Sequence, residues 1–201
     1  MITIALQAGG KSTRMGKDKA LEPFLGIPLI FRLKDRFLNI GEELVVITND
    51  FSGYQDLHVP LYKDLIPDRG ALGGLYTALA VTTTPILWLI AADLPFADPL
   101  LMTHLSKTLE TSGADAVLPS TENGIEPFHA VYQVETCLPF VNNALDQDFW
   151  KMNSWHDQAK IQILTPAETR DNTTSEYTFW NLNTPEDFHS AEQEALKLNL
   201  V

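Results

Sequence analysis

The stretch LQAGGKSTRMGKDKAL, residues 6–21, sets Gly9 and Gly10 directly after an apolar run. Lys11, Arg14, Lys17 and Lys19 then follow, with only Asp18 against them. Glycines let backbone N–H groups come close to an anion. An arginine guanidinium grips phosphate oxygens in pairs, and a lysine ammonium supplies a point charge. The residue types and spacing point to a phosphate-binding loop. It is neither of the two common kinds. A Walker A loop ending in Gly10-Lys11-Ser12 needs its first glycine at position 5, which is Ala5. The dinucleotide fingerprint needs glycine two residues after Gly9 and meets Lys11.

Two other polar residues close apolar runs. Asn49 ends the run Glu43–Thr48, and Asp93 follows ILWLIAA at 86–92. A lone carboxylate beside substrate phosphates suits Mg²⁺, which keeps several waters and needs few protein ligands. Each residue also has a plainer reading. An Asp after a strand is a common turn former, Asn49-Asp50 can be a turn, and Gly70–Gly74 can simply let a helix pack closely. NTPED at 183–187 is a good helix start without any ligand. What raises them above those readings is that Gly9-Gly10, Asn49 and Asp93 all fall at strand ends on one edge of the sheet.

The elements that must position them alternate. Strands are expected at Ile2–Ala8, Glu43–Thr48, Val59–Tyr62, Ile86–Ala91, Ala116–Pro119, His129–Tyr132, Lys160–Leu164 and Thr178–Leu182. Helices are expected at Pro28–Leu38, Gly73–Val81, Pro99–Glu110 with Asp98 as N-cap, Thr136–Leu145, and after Thr184. This alternation argues for one domain over residues 1–201: an open, mostly parallel α/β sheet with helices on both faces and some antiparallel edge strands around 116–132 and 160–164. In such sheets ligands bind at the carboxyl ends of the strands.

Composition bounds the partners. The 201 residues are 45% hydrophobic and 20% charged, and the net charge of −12 argues against nucleic acid or an anionic membrane as partner. A small anion held at one local basic corner fits better. The single cysteine, Cys137, excludes an internal disulfide and is expected as a free buried thiol. No apolar run reaches membrane-span length, and the start lacks a charged leader region, so a cytoplasmic location is expected. His58, His104, His129, His156 and His189 show no metal-ligand spacing. His129 is expected to be packed. Phe149, Trp150, Met152 and Trp155 form an aromatic cluster for which core packing is the first expectation, with a pterin pocket or a protein contact as alternatives.

The loop is recognisable. AGGKSTRMGKDKAL resembles the signature of nucleotidyltransferases with a nucleotide-diphospho-sugar-transferase-like, Rossmann-like fold. It is most similar to the molybdenum cofactor guanylyltransferase family, whose pattern is roughly L-A-G-G-x-S-x-R-M-G-x-D-K. Gln7 stands where that family usually has Leu. The likeness continues in order: Asn49 at the second strand end, and Asp64 ahead of Gly70-Ala71-Leu72-Gly73-Gly74, where Ala71 replaces the usual Pro. AADLPF at 91–96 and NLNTPEDF at 181–188 follow. Residues 140–175 match nothing in it.

The resemblance implies Mg²⁺-dependent transfer of GMP from GTP to molybdopterin, releasing pyrophosphate. It implies catalytic roles for Arg14, Lys19 and Asp93, with Asp93 as metal ligand. Nucleotide contacts are implied for Gln7, Ala8, Gly9, Gly10, Lys19, Asn49, Asp64, Gly70, Gly74 and Asp93, and an acceptor or second metal contact for Asn181 and Asn183. Hand-over from the molybdenum insertion protein and to apo-molybdoenzymes is a further implication. Two alternatives stand beside it. One is a related enzyme using CTP or another nucleotide, with a molybdopterin, sugar phosphate or alditol phosphate acceptor. The other is a nucleotide-binding protein without turnover, which retention of Arg14, Lys19 and Asp93 disfavours.

Overall fold

A computed structural model describes residues 1–9 and 18–198. Seven strands form the main sheet: β1 (Ile2–Gln7), β2 (Glu43–Ile47), β3 (Leu61–Tyr62), β4 (Ile86–Ala91), β5 (Ala116–Leu118), β6 (His129–Gln133) and β7 (Ile161–Ile163). Their spatial order is β7-β5-β6-β4-β1-β2-β3. Only β6 runs against its neighbours, pairing antiparallel with both β4 and β5. The antiparallel strand therefore lies inside the sheet, and β7 at the edge pairs parallel with β5.

Period-two alternation divides the core. Ile4 and Leu6 of β1 face one layer with Val46, Trp88 and Ile90. Ala5 faces the other with Val45, Ile47, Leu87 and Leu89. Apolar residues on both sides demand two covering layers, and helices supply them. On the first face lie α1 (Leu29–Phe37), α3 (Pro99–Ser112) and α6 (Pro185–Leu198), burying Leu33, Phe37, Leu105, Phe188 and Ala191. On the second lie α2 (Gly70–Val81) and α4 (Val134–Asp146), burying Leu75, Leu79, Val141 and Leu145.

Local signals explain most boundaries. Asp98 caps α3 by accepting from Leu100 N–H at 2.8 Å, with Pro99 at the first position and Gly113 (φ 65°) beyond its end. A short helix not expected from the sequence, α5 (Pro166–Asp171), begins with a complete capping box between Thr165 and Glu168. The expected strand over 178–182 does not form a ladder. Among the described residues its only sheet-like tie is Leu182 N–H to the Asp93 carbonyl, 3.0 Å.

Gln7 is level with Ile47 on one side and Ala91 on the other. The carboxyl ends of β1, β2 and β4 are thus flush, which sets the loops after them beside one another. Backbone bonds continue the alignment past the strands: Ala8 N–H donates to Ile47 O (2.8 Å) and Ala92 N–H to Gln7 O (2.9 Å).

Candidate active site

The glycine-rich loop begins at Gly9, and Gly10 and Arg14 lie outside the described residues. Its far end is firmly held. Asp18 caps a single 3₁₀ turn at Lys19–Leu21 by accepting from Ala20 N–H at 3.0 Å, and its other oxygen accepts from the buried Tyr54 hydroxyl at 2.6 Å. Lys19 is placed by that anchor. Its Nζ donates to Asn183 Oδ1 at 2.8 Å, joining the first loop of the chain to the start of α6.

Asn183 is itself fixed. Its N–H and that of Thr184 both donate to Asp187 Oδ2, at 2.9 and 2.8 Å, while Asp187 N–H donates to the Thr184 hydroxyl at 3.1 Å. Burial works against the Asp187 charge, but those backbone donors prevail and, with Lys19 nearby, hold the carboxyl below its ordinary range. NTPED is therefore a capped helix start and a platform for Asn183 at once. Asn181 is exposed, and its carbonyl accepts from Asn183 Nδ2 at 3.4 Å.

Asp93 stands at the end of β4, partly exposed. Burial pushes its carboxyl up from the usual value, and the charge of Lys19 opposes that shift. Lys19, Asp93 and Asn183, far apart in sequence, share one corner. A carboxylate carrying an uncompensated desolvation penalty is one that a bound cation would relieve. Among the described residues no three His, Cys, Asp or Glu side chains gather to hold a metal. The donor set fits an ion that takes one protein carboxylate and completes its shell with phosphate oxygens and water.

On the other flank, Asn49 and Asp64 form a reciprocal pair across the ends of β2 and β3. Asn49 Nδ2 donates to Asp64 Oδ2 at 2.7 Å, and Asp64 N–H donates to Asn49 Oδ1 at 3.0 Å. The next residue is tied to α2, since Leu65 N–H donates to the Thr77 hydroxyl at 2.9 Å. Gly70 opens α2 with φ 56°, a conformation that disfavours a side chain. Gly74 meets β1: a Cβ there would lie 2.5 Å from Gln7 Cδ and closer still to Nε2. The absent side chain is what lets the Gln7 carboxamide lie against the helix. Gln7 Oε1 is buried and accepts no hydrogen bond from the described residues. Ala8 is buried and Gly9 exposed.

The structure thus brings Gln7, Gly9, Lys19, Asn49, Asp64, Gly70, Gly74, Asp93, Asn181 and Asn183 to one sheet edge. Asp187, in sequence a first-turn acid of the helix after Thr184, also holds Asn183, and neither that role nor the Asp18–Tyr54 anchor was expected. For Asp187 the signal was present in the T-x-x-D spacing of a capping box; for Tyr54 no local signal existed. His129 is fully buried, as expected. Its Nε2 accepts from Asp98 N–H at 2.9 Å, and burial lowers its pKa to about 4. Cys137 is a buried free thiol, pushed up to about 12 by burial. The aromatic cluster divides: Trp155 is buried against Tyr132, whereas Phe149 and Trp150 are 48% and 54% exposed.

Residues 4–159 match the family described as MobA-like NTP transferase domain. The chain is 31% identical to a probable molybdenum cofactor guanylyltransferase of Carboxydothermus hydrogenoformans, over 93% of each chain. It is also 31% identical to a protein of the same description from Natronomonas pharaonis, over 95% of this chain and 96% of that one. Molybdopterin-guanine dinucleotide biosynthesis protein A of Archaeoglobus fulgidus has the same fold, with TM-score 0.84 at 24% identity over 98% of this chain and 100% of that one. So does a 4-diphosphocytidyl-2C-methyl-D-erythritol synthase of Anaerococcus prevotii, with TM-score 0.72 at 13% identity over 97% and 96%.

Proposed function

The chain belongs to the MobA-like NTP transferase domain family and is a nucleotidyltransferase, and we propose that it transfers a guanylyl group from GTP to the terminal phosphate of molybdopterin. An oxygen of that phosphate attacks the α-phosphorus of GTP. The bond from the α-phosphorus to the bridging oxygen breaks, and pyrophosphate leaves with the electron pair. No protein nucleophile is required. The protein's part is to position the two phosphates and to stabilise charge.

The observation that carries this reading is the corner formed by Lys19, Asp93 and Asn183. Lys19 is a cation beside a carboxylate that burial has left poorly solvated, and Asn183 holds its ammonium in place. In the proposed reaction Lys19, with Arg14, offsets charge on the α-phosphate and the departing pyrophosphate. Asp93 would hold Mg²⁺, which when bound neutralises charge on the triphosphate. Gln7, Ala8, Gly9, Gly10, Gly70 and Gly74 would line the nucleotide, and the Asn49–Asp64 pair would meet the base or ribose. Asp64 is an acceptor suited to the N1–H and N2–H₂ donors of guanine. The unsatisfied Gln7 Oε1, which stands uncompensated at about 1–3 kcal/mol, lies at the same flank. Molybdopterin would arrive from a molybdenum insertion protein and the product would pass to apo-molybdoenzymes.

The test is pyrophosphate release with molybdopterin and Mg²⁺, comparing GTP, CTP, ATP and UTP. Release with GTP alone, reduced about 100- to 1,000-fold in Lys19→Ala, is expected. A preference for CTP would keep the mechanism and overturn the base assignment. Nucleotide binding with no release would return the protein to the non-catalytic class.

A further inference from the structure

Exposed aromatic side chains are scarce on this protein. Among the described residues the only large ones exposed are Phe149 and Trp150, adjacent in sequence. Their place follows from the topology. Because β6 runs backwards, α4 returns toward the carboxyl edge of the parallel strands and ends there at Asp146. The segment after it meets the start of α2: Arg69, the residue before Gly70, makes an ion pair with Asp148.

Trp150 is held in that junction by two contacts. Its indole N–H donates to Asp148 Oδ1 at 3.3 Å, and the Arg69 guanidinium carbon stands 5.5 Å from the centre of its ring. The first contact fixes the ring's edge and the second occupies a face. An indole so oriented, yet 54% exposed, is a prepared stacking surface, since it loses little rotamer freedom when a flat ring settles on it. Arg69 precedes the first turn of α2, and Gly74, just beyond that turn, lies with its backbone against Gln7 of β1. The indole therefore stands at the end of α2 that carries Gly70 and Gly74.

We propose that Trp150, oriented by Arg69 and Asp148, is the platform on which the flat pyrimidinone ring of the acceptor's pterin stacks while its terminal phosphate reaches the α-phosphorus. This deepens the guanylyl-transfer reading and rests on it. Two ligands of that reaction carry a flat pyrimidinone ring, the guanine of GTP and the pterin of the acceptor. Position favours the pterin. The base-type donors and acceptors, Asn49 and Asp64, stand at the ends of β2 and β3, whereas Trp150 follows the end of α4, the helix that packs on α2 and on β6. The two flanks suit the two halves of one dinucleotide product.

The experiment measures pyrophosphate release from GTP with molybdopterin in the unsubstituted protein, W150A and W150F, with KM determined separately for each substrate. W150A should raise the acceptor KM about tenfold or more, in line with removal of a base-stacking aromatic. It should leave the GTP KM within about twofold, and W150F should recover most of the loss. No release by the unsubstituted protein refutes the guanylyl-transfer reading and this inference with it. Release with an unchanged acceptor KM in W150A refutes this inference alone. A rise in the GTP KM instead would assign the indole to guanine. Unchanged kinetics with impaired delivery of product to an apo-molybdoenzyme would make the patch a protein contact and overturn the proposal.

Discussion

Gly74→Ala tests whether a glycine at the candidate site acts through Gln7. The new methyl would fall 2.5 Å from Gln7 Cδ and 3.0 Å from Oε1, so the carboxamide must swing away. That movement is affordable in stability. Gln7 is a flexible chain end, an off-rotamer torsion is worth about 0.5–1.5 kcal/mol, and Ala for Gly within a helix returns about 1 kcal/mol. The net change should lie within about 1 kcal/mol of zero. Nucleotide affinity is expected to fall, because the carboxamide is driven out of its place at the end of β1. Gln7→Ala removes the obstacle. In that background only the helix-propensity gain remains, so adding Gly74→Ala should stabilise the protein by about 1 kcal/mol and lower GTP affinity much less than it does with Gln7 present. The assay is a double-mutant cycle in urea, paired with titration of a fluorescent GTP analogue. Destabilisation by several kcal/mol in both backgrounds would mean that the helix backbone itself needs the glycine. An equal loss of GTP affinity in both would remove Gln7 from the argument.

His129 is buried and its folded pKa lies near 4, against 6.5 for the free side chain. The unfolded chain therefore binds a proton that the folded chain refuses between those values. Stability should fall as pH drops from about 6.5 to about 4, by about 3 kcal/mol in all. His129→Gln, which keeps an acceptor for Asp98 N–H, should flatten that part of the denaturation-against-pH curve; an unaltered slope would refute the assignment. Asp93 is raised by burial, so its charge weakens the fold at neutral pH and the penalty is relieved as pH falls through its folded pKa. Asp93→Asn should accordingly match or exceed the unsubstituted protein in Tm at pH 7, and Mg²⁺ with GTP should raise the Tm of the unsubstituted protein alone. An equal Mg²⁺-dependent rise in the variant would take the ion away from Asp93.

The sequence by itself determined the layered α/β architecture, because apolar runs too hydrophobic for one wet face require cover on both sides. It also determined the helix starts at Asp98 and Thr184, where the capping chemistry lies within a few residues. The short helix at 166–171 had equally local signals in Thr165 and Glu168. It was passed over because six residues carry too little periodicity to stand out from a polar loop. The candidate site was legible as residue types at strand ends. That legibility rested on topology, since parallel strands in register bring Gln7, Ile47 and Ala91 level and so gather the loops that follow.

Only the tertiary structure decided which of those residues meet. Nothing near Lys19 in sequence indicates that its ammonium binds Asn183, nor does anything near Asp18 point to Tyr54. The interior position of the main sheet's one antiparallel strand was likewise undetermined by pattern, because an apolar five-residue segment reads the same in either direction. That reversal brings the end of α4 to the site edge and sets Trp150 over Arg69. The adjacent Phe149 and Trp150 stay exposed while Trp155, a few residues on, is buried. Local sequence records how a segment can fold. Contacts between segments depend on the relative placement of the whole sheet and its helices, which no local window contains.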